Sequence, residues 1–202
     1  MERILELSFK HKIAHIGSSL TVLPILQKIY NEKNEEDVIV LSCGHAGLAQ
    51  YVLIEEKSNG SISAEELYTT MGLHPKRDVN RGIYVSTGSL GCGILVAVGL
   101  SLANKNRNVY CVLSDGECAE GSVWEALTFI RNKNIGNLSI HVNINGFSAY
   151  ESIERTYLEE RLKIFLPNIN VHQTQNPKYL GGLNAHYHIM KDIGEIKKII
   201  EE

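Results

Sequence analysis

Four short apolar runs, VIVL at 38–41, VYCVL at 109–113, LSIHV at 138–142 and INVH at 169–172, alternate with longer stretches whose apolar residues recur at helical spacing. The short runs predict strands; the longer stretches predict helices over 22–30, 45–57, 63–71, 88–104, 121–132, 157–165 and 192–201. Ser63 with Glu66 adds a capping box to the third helix. Strands that are apolar throughout and separated by helices predict a parallel sheet covered on both faces, with right-handed crossovers. Ligands of such α/β sheets sit at the carboxyl ends of strands, which points to the residues just after Leu41, Leu113 and Val142.

Composition narrows the class. With 202 residues and 44% hydrophobic content, the chain can bury one substantial core, and a single domain over 1–202 is expected. A net charge of -3 without any basic run gives nucleic acid no electrostatic hold, so an anionic ligand needs local donors. Cys43, Cys92, Cys111 and Cys118 form no CxxC pair, and the amino terminus MERILELSFK is too charged for a signal-peptide core; a reducing cytoplasm fits. The longest apolar stretch, 93–103, is about half the ~20 residues a membrane span needs, so it is expected to be a buried helix and no membrane partner is implied.

The strand ends carry the candidate chemistry. After 109–113 comes Ser114-Asp115-Gly116, then Glu120-Gly121 and a helix containing Trp124. Asp-Gly alone is one of the commonest turn pairs, and that reading stands for this run in isolation. The next strand, however, runs into Asn143-Ile144-Asn145-Gly146, and Asn145 follows Asp115 by 30 residues, one α/β crossover. A carboxylate and an amide oxygen, completed by a backbone carbonyl, a water and two phosphate oxygens, satisfy the octahedral oxygen shell of magnesium. Gly116 and Gly146 would let main chain approach the phosphates. The close pairs Cys43/His45 and His186/His188 meet no second pair at structural zinc spacing. No Ser-His-Asp or Cys-His set follows from spacing, and no GxGxxG run follows a strand.

Taken in order, His15-Ile16-Gly17-Ser18-Ser19, Leu41-Ser42-Cys43-Gly44-His45-Ala46, His74-Pro75, Val85-Ser86-Thr87-Gly88-Ser89-Leu90-Gly91, Ser114-Asp115-Gly116, Glu120-Gly121 with Trp124-Glu125-Ala126, and Asn145-Gly146 resemble the thiamine-diphosphate-binding part of transketolases. STGSLG followed by the SDG-to-Asn pair is the most specific portion. The resemblance implies the α/β diphosphate-binding (PP-domain) fold, with magnesium held by Asp115, Asn145 and the carbonyl of Phe147. It implies that Ser114 and Gly116 lie against the cofactor, although Ser114 departs from the family's glycine. It places His15, His45 and His74 in the active site, His45 near the reactive thiazolium carbon, and His186 near the diphosphate. Read alone, His45 also suits a helix-capping histidine, and His186 a solvated one. Gly88, Ser89 and Leu90 match a loop against the aminopyrimidine, or simply the first turn of the next helix. Glu120 matches an acid near the subunit interface, and is equally a favourable charge at a helix N-terminus.

The implied reaction is ketol transfer, a two-carbon unit passing from a ketose to an aldose, on sugars or sugar phosphates, with thiamine diphosphate and magnesium. In transketolases the glutamate that activates the aminopyrimidine lies in a pyrimidine-binding domain, which residues 1–202 do not include. A separately encoded component carrying the pyrimidine and carboxy-terminal domains is therefore the expected partner. This chain is expected to form a homodimer, or a heterotetramer with that partner, and to be inactive alone. Other expectations from the same half-site are a deoxyxylulose-phosphate-synthase-like or ketoacid-using carboligase, or an inactive cofactor-binding regulatory subunit. The βα pattern without the histidines would suit a flavodoxin-like nucleotide module.

Overall fold

A computed structural model describes residues 1–148 and 150–201. In chain order its elements are α1 (Glu2–His11), α2 (Ile16–Glu32), β1 (Val38–Leu41), α3 (Gly47–Lys57), α4 (Ala64–Met71), α5 (Gly93–Ala103), β2 (Val109–Ser114), α6 (Gly121–Lys133), β3 (Leu138–Ile144), α7 (Arg155–Phe165), β4 (Asn170–Gln173) and α8 (Gly194–Ile200). The strands form one parallel sheet in the order β1-β2-β3-β4, with Cys111 opposite both Val40 and Ile140, and Val142 opposite Val171.

Side chains alternate across the sheet as the two-residue strand period requires. Ile39, Leu41 and Val112 point to one layer, where they meet Leu5, Leu20, Leu26, Leu48 and Leu67 from α1 to α4. Val38, Val40, Cys111, Leu113, Ile140 and Val142 point to the other, against Ile94 and Ala97 of α5, Val123 and Leu127 of α6, and Leu162 of α7. The expected parallel sheet with helices on both faces is what the chain adopts.

Not every strand is apolar throughout. On the α2 side β3 presents Ser139, His141 and Asn143, and β4 is a polar edge whose Asn170 and Gln173 are exposed. Polar pairing fills that side: Asn143 Nδ2 donates to Thr21 Oγ1 at 2.9 Å, Thr174 Oγ1 donates to Asn143 Oδ1 at 2.6 Å, and the His141 and His172 rings meet N-to-N at 3.0 Å.

Helix boundaries differ from the periodicity in ways that matter for the cavity. Helix α1 was not expected; it forms because Ile4, Leu5, Leu7 and Ser8 fall on one buried stripe. Helix α2 starts at Ile16, not 22, since burial of Ile16 and Leu20 outweighs the weak propensity of Gly17-Ser18-Ser19. The expected helix 88–104 starts only at Gly93, because Gly88 (φ 140) and Gly91 (φ 70) hold 88–92 as a loop. His45 lies on a 3-10 turn, Gly44–Ala46, ahead of α3. Half of the capping box is present: Ser63 Oγ accepts the Glu66 amide, but the Glu66 carboxylate pairs with Arg81 at 2.7 Å while Glu55 takes the Ala64 amide. No helix among the described residues is long and apolar enough to cross a membrane.

Candidate functional site

Strands β1, β2 and β3 end together, and their following residues wall a cavity of about 500 Å³. Strands β2 and β3 run one and two residues further than the sequence pattern suggested, so Asp115 and Asn145 emerge directly from the sheet edge. Asp115 is 1% exposed. Its Oδ1 accepts the Gly116 amide at 3.0 Å and its Oδ2 the Gly146 amide at 2.7 Å. Burial pushes its carboxyl up to about 6, against those amide bonds, which favour the charged form. An acid so placed gains from a nearby cation. Asn145 Oδ1 accepts the Phe147 amide at 3.0 Å, and Arg155 donates to the Asn145 carbonyl, laying its guanidinium over Gly146.

Asp115, Asn145 and Phe147 all line the cavity, and a carboxylate, an amide oxygen and a main-chain carbonyl are the hard oxygen donors that magnesium prefers. The donor set fits that ion. No group of three His, Cys, Asp or Glu side chains among the described residues could hold a metal. Ser114 and Gly116 line the same wall. Ser114 Oγ is buried near Glu117 yet makes no hydrogen bond of good geometry, and a Cβ on Gly116 would meet Ser148 only at 3.6 Å.

Four histidines, His15, His45, His74 and His186, line the same cavity. His15 ends the loop before α2 with φ 59, its amide donating to the His186 carbonyl at 3.1 Å. His186 comes from the 3-10 turn Leu183–Tyr187 near the carboxyl terminus. Ring centroids lie 4.2 Å apart for His15 and His186, 5.5 Å for His15 and His45, and 6.1 Å for His45 and His186. His74 packs its ring on Gly88, where a Cβ would sit 3.0 Å from it. Burial, reinforced by mutual repulsion, drops His15 to about 4 and His45 to about 3; burial also lowers His186. The three rings are therefore neutral at physiological pH, each with one donor and one acceptor nitrogen. His15 Nδ1 is buried with no partner among the described residues.

Gly88, Leu90 and Glu120 complete the rim, and Glu120 makes no side-chain cap bond at the start of α6. Ser89 does not line the cavity; it is exposed, with its Oγ 3.5 Å from Cys92 Sγ. Sequence reasoning missed the wall formed by Tyr150, Tyr157 and Arg161, whose guanidinium stacks 4.3 Å from the Trp124 ring. It also missed Tyr187, edge-on to His186 at 4.8 Å, and the buried acid Glu117. An acid between Gly116 and Cys118, just after a strand end, was the available signal for the last.

Residues 10–176 match the family model described as transketolase, thiamine diphosphate binding domain. The chain belongs to the transketolase family. It is 33% identical over 182 residues to one of the subunits of the apulose-4-phosphate transketolase of Phocaeicola vulgatus, covering 80% of this chain and 64% of that protein. It is 32% identical over 151 residues to the 6-deoxy-6-sulfo-D-fructose transketolase subunit SqwG of Clostridium sp. strain MSTE9, covering 66% of this chain and 55% of that protein. The chain thus spans less than two-thirds of the length of either relative. Among solved structures, the transketolase of Campylobacter jejuni superposes with a TM-score of 0.69 at 19% identity, over 92% of this chain and 39% of that one, a likeness of fold.

Proposed function

We propose that this chain is the diphosphate-binding subunit of a two-component transketolase. The observation that carries the reading is the meeting, in one cavity, of the Asp115–Asn145–Phe147 oxygen set with His15, His45, His74 and His186. Asp115, Asn145 and the Phe147 carbonyl would hold magnesium, whose charge offsets a diphosphate at the sheet edge. Ser114 and Gly116 would line the phosphates. The carbon nucleophile for ketol transfer is supplied by the bound cofactor. Neutral His15 and His45 can each donate to and accept from a ketose's hydroxyls, fixing it by hydrogen bonds without carrying charge. Gly88, Leu90 and Glu120 sit on the rim where the aminopyrimidine end would lie.

A partner component is supported by the names of the two relatives, both subunits of transketolases. Their names also point to sugars bearing a phosphate or sulfo group, and a sugar or sugar phosphate is the proposed substrate class. Helix α5, expected to be buried, is buried on one face only; its outward face, with Leu95, Val96 and Leu102 each more than 40% exposed, suits an association surface in a homodimer or heterotetramer. The test is to purify the chain alone, assay ketol transfer with common sugar phosphates, thiamine diphosphate and magnesium, and then add the product of an adjacent gene encoding a pyrimidine-binding domain. Turnover only in the mixture is expected; robust turnover by the isolated chain would refute the two-component reading.

A further inference from the structure

Glu117 lies two residues beyond Asp115 yet does not line the cavity; it is fully buried on the 3-10 turn Gly116–Ala119. Its Oε1 accepts the Ser42 hydroxyl at 2.6 Å and the Gly91 amide at 3.1 Å, and its Oε2 accepts the Ser114 amide at 3.0 Å. Each donor belongs to a different wall of the cavity. Ser42 leads from β1 into His45, Gly91 closes the loop that bears Gly88 and Leu90, and Ser114 immediately precedes Asp115.

The first two walls also touch through main chain. A Cβ on Gly44 would fall 2.7 Å from the Gly88 nitrogen, and one on Gly93 would fall 2.6 Å from Ser42 Cα. Ser122 at the start of α6 adds a bond from its hydroxyl to the Gly91 carbonyl at 3.0 Å. Close approach of this kind allows the loops to pack, but the Glu117 carboxylate is the group that bonds all three.

We propose that Glu117 is a positioning residue that preassembles the cofactor cleft by bracing its three walls, an inference that rests on the thiamine-diphosphate reading above. The choice of side chain follows from the donors. Three donors converge on two oxygens, and a carboxylate, which offers an acceptor at both, can serve all of them. A glutamine would aim its NH2 at one of them and leave that donor unpaired. For stability alone a buried charge is no better than a well-packed apolar residue of similar volume, so its use here suits conformational specificity at the strand ends. Preorganised loops matter because a cleft that must be ordered on binding loses affinity to that ordering.

Glu117→Gln and Ser42→Ala, each prepared with the partner component, test the brace by three measurements. These are hydrogen exchange of the cofactor-free protein, the Kd for thiamine diphosphate with magnesium by calorimetry, and the melting temperature. Exchange should rise in segments 88–93 and 114–120 while the middle of β2 and β3 stays protected. The Kd should rise about tenfold for Glu117→Gln and less for Ser42→Ala. A lower melting temperature with unchanged exchange in both segments and a Kd within about twofold of wild type would overturn the proposal. Should Glu117→Gln fail to fold, Ser42→Ala decides by the same criteria. Failure of the wild-type complex to bind cofactor would overturn the thiamine-diphosphate reading, whereas the exchange data on cofactor-free protein would still decide the brace.

Discussion

Asp115 Oδ2 accepts the Gly146 amide at 2.7 Å, so the acid at the end of β2 holds the turn that follows β3. Gly146 has φ 92, and a Cβ there would lie 2.7 Å from Arg155 Nε. Gly146→Ala should therefore cost about 1–3 kcal/mol of stability through backbone strain, and should weaken magnesium-dependent cofactor binding by displacing the Asn145–Phe147 segment. Thermal melts and calorimetry check both; a variant as stable and as tight-binding as wild type would refute the strain.

The buried histidines should make the chain acid-labile. His15 and His45 have folded values of about 4 and about 3, below their unfolded value of 6.5. Below 6.5 the unfolded chain takes up protons that the folded one refuses, so the stability present above that pH is lost progressively as pH falls toward 4 and 3. Melting temperature measured from pH 7.5 to 4 should fall, and His45→Gln should flatten the fall. Parallel curves for wild type and variant would contradict the burial argument.

Ser114 occupies a position where its hydroxyl is buried without a good hydrogen bond. Ser114→Gly removes that group and restores the family's small residue, at the cost of a glycine in a strand, about 0.5–1 kcal/mol. Tighter thiamine-diphosphate binding, by roughly threefold to tenfold for the ~1 kcal/mol cost of an unpaired hydroxyl, is expected by calorimetry. Weaker binding would mean that the serine donates to the cofactor.

The carboxyl-terminal segment that carries His186 is anchored by Glu195. Burial pushes this carboxyl up, but the Lys191 and Asp192 amides, His188 and Tyr179 together hold it down to about 2. The His188–Glu195 contact is 2.7 Å. Because the folded value lies below the unfolded 4.5, this contribution is present above 4.5 and is lost as pH falls through 2. Glu195→Ala should destabilise by about 2–4 kcal/mol and raise proteolytic cleavage near 177–190 ahead of global unfolding. Cleavage at wild-type rates would show that the segment is held elsewhere.

How much of this was legible depended on whether a residue's partner was local. Asp115 and Asn145 could be found because strand ends are marked by the switch from apolar runs to Asp-Gly and Asn-Gly. The histidines could be placed only by resemblance, since His15, His45 and His186 converge from segments 30 to 171 residues apart. Glu117 could not be singled out, because nothing local announces donors at Ser42 and Gly91. The start of α2 lies earlier than its periodicity indicates and that of α5 later, for opposite reasons: tertiary burial extended the first, and glycine conformations cut the second short. The polar side of β3 and β4 was legible, because LSIHV and INVH alternate apolar and polar residues strictly, and reading them as uniformly apolar overlooks one face.

The central claim is a magnesium-dependent thiamine-diphosphate site built on Asp115 and Asn145. Its most direct test is calorimetric titration of thiamine diphosphate into the complex with its partner, with magnesium and after chelation, for wild type, Asp115→Ala and Asn145→Ala. The account predicts binding that needs magnesium in the wild type and falls by about 100-fold or more, ~2.7 kcal/mol, in each variant. Equal affinity in all three proteins, or binding indifferent to chelation, would contradict it.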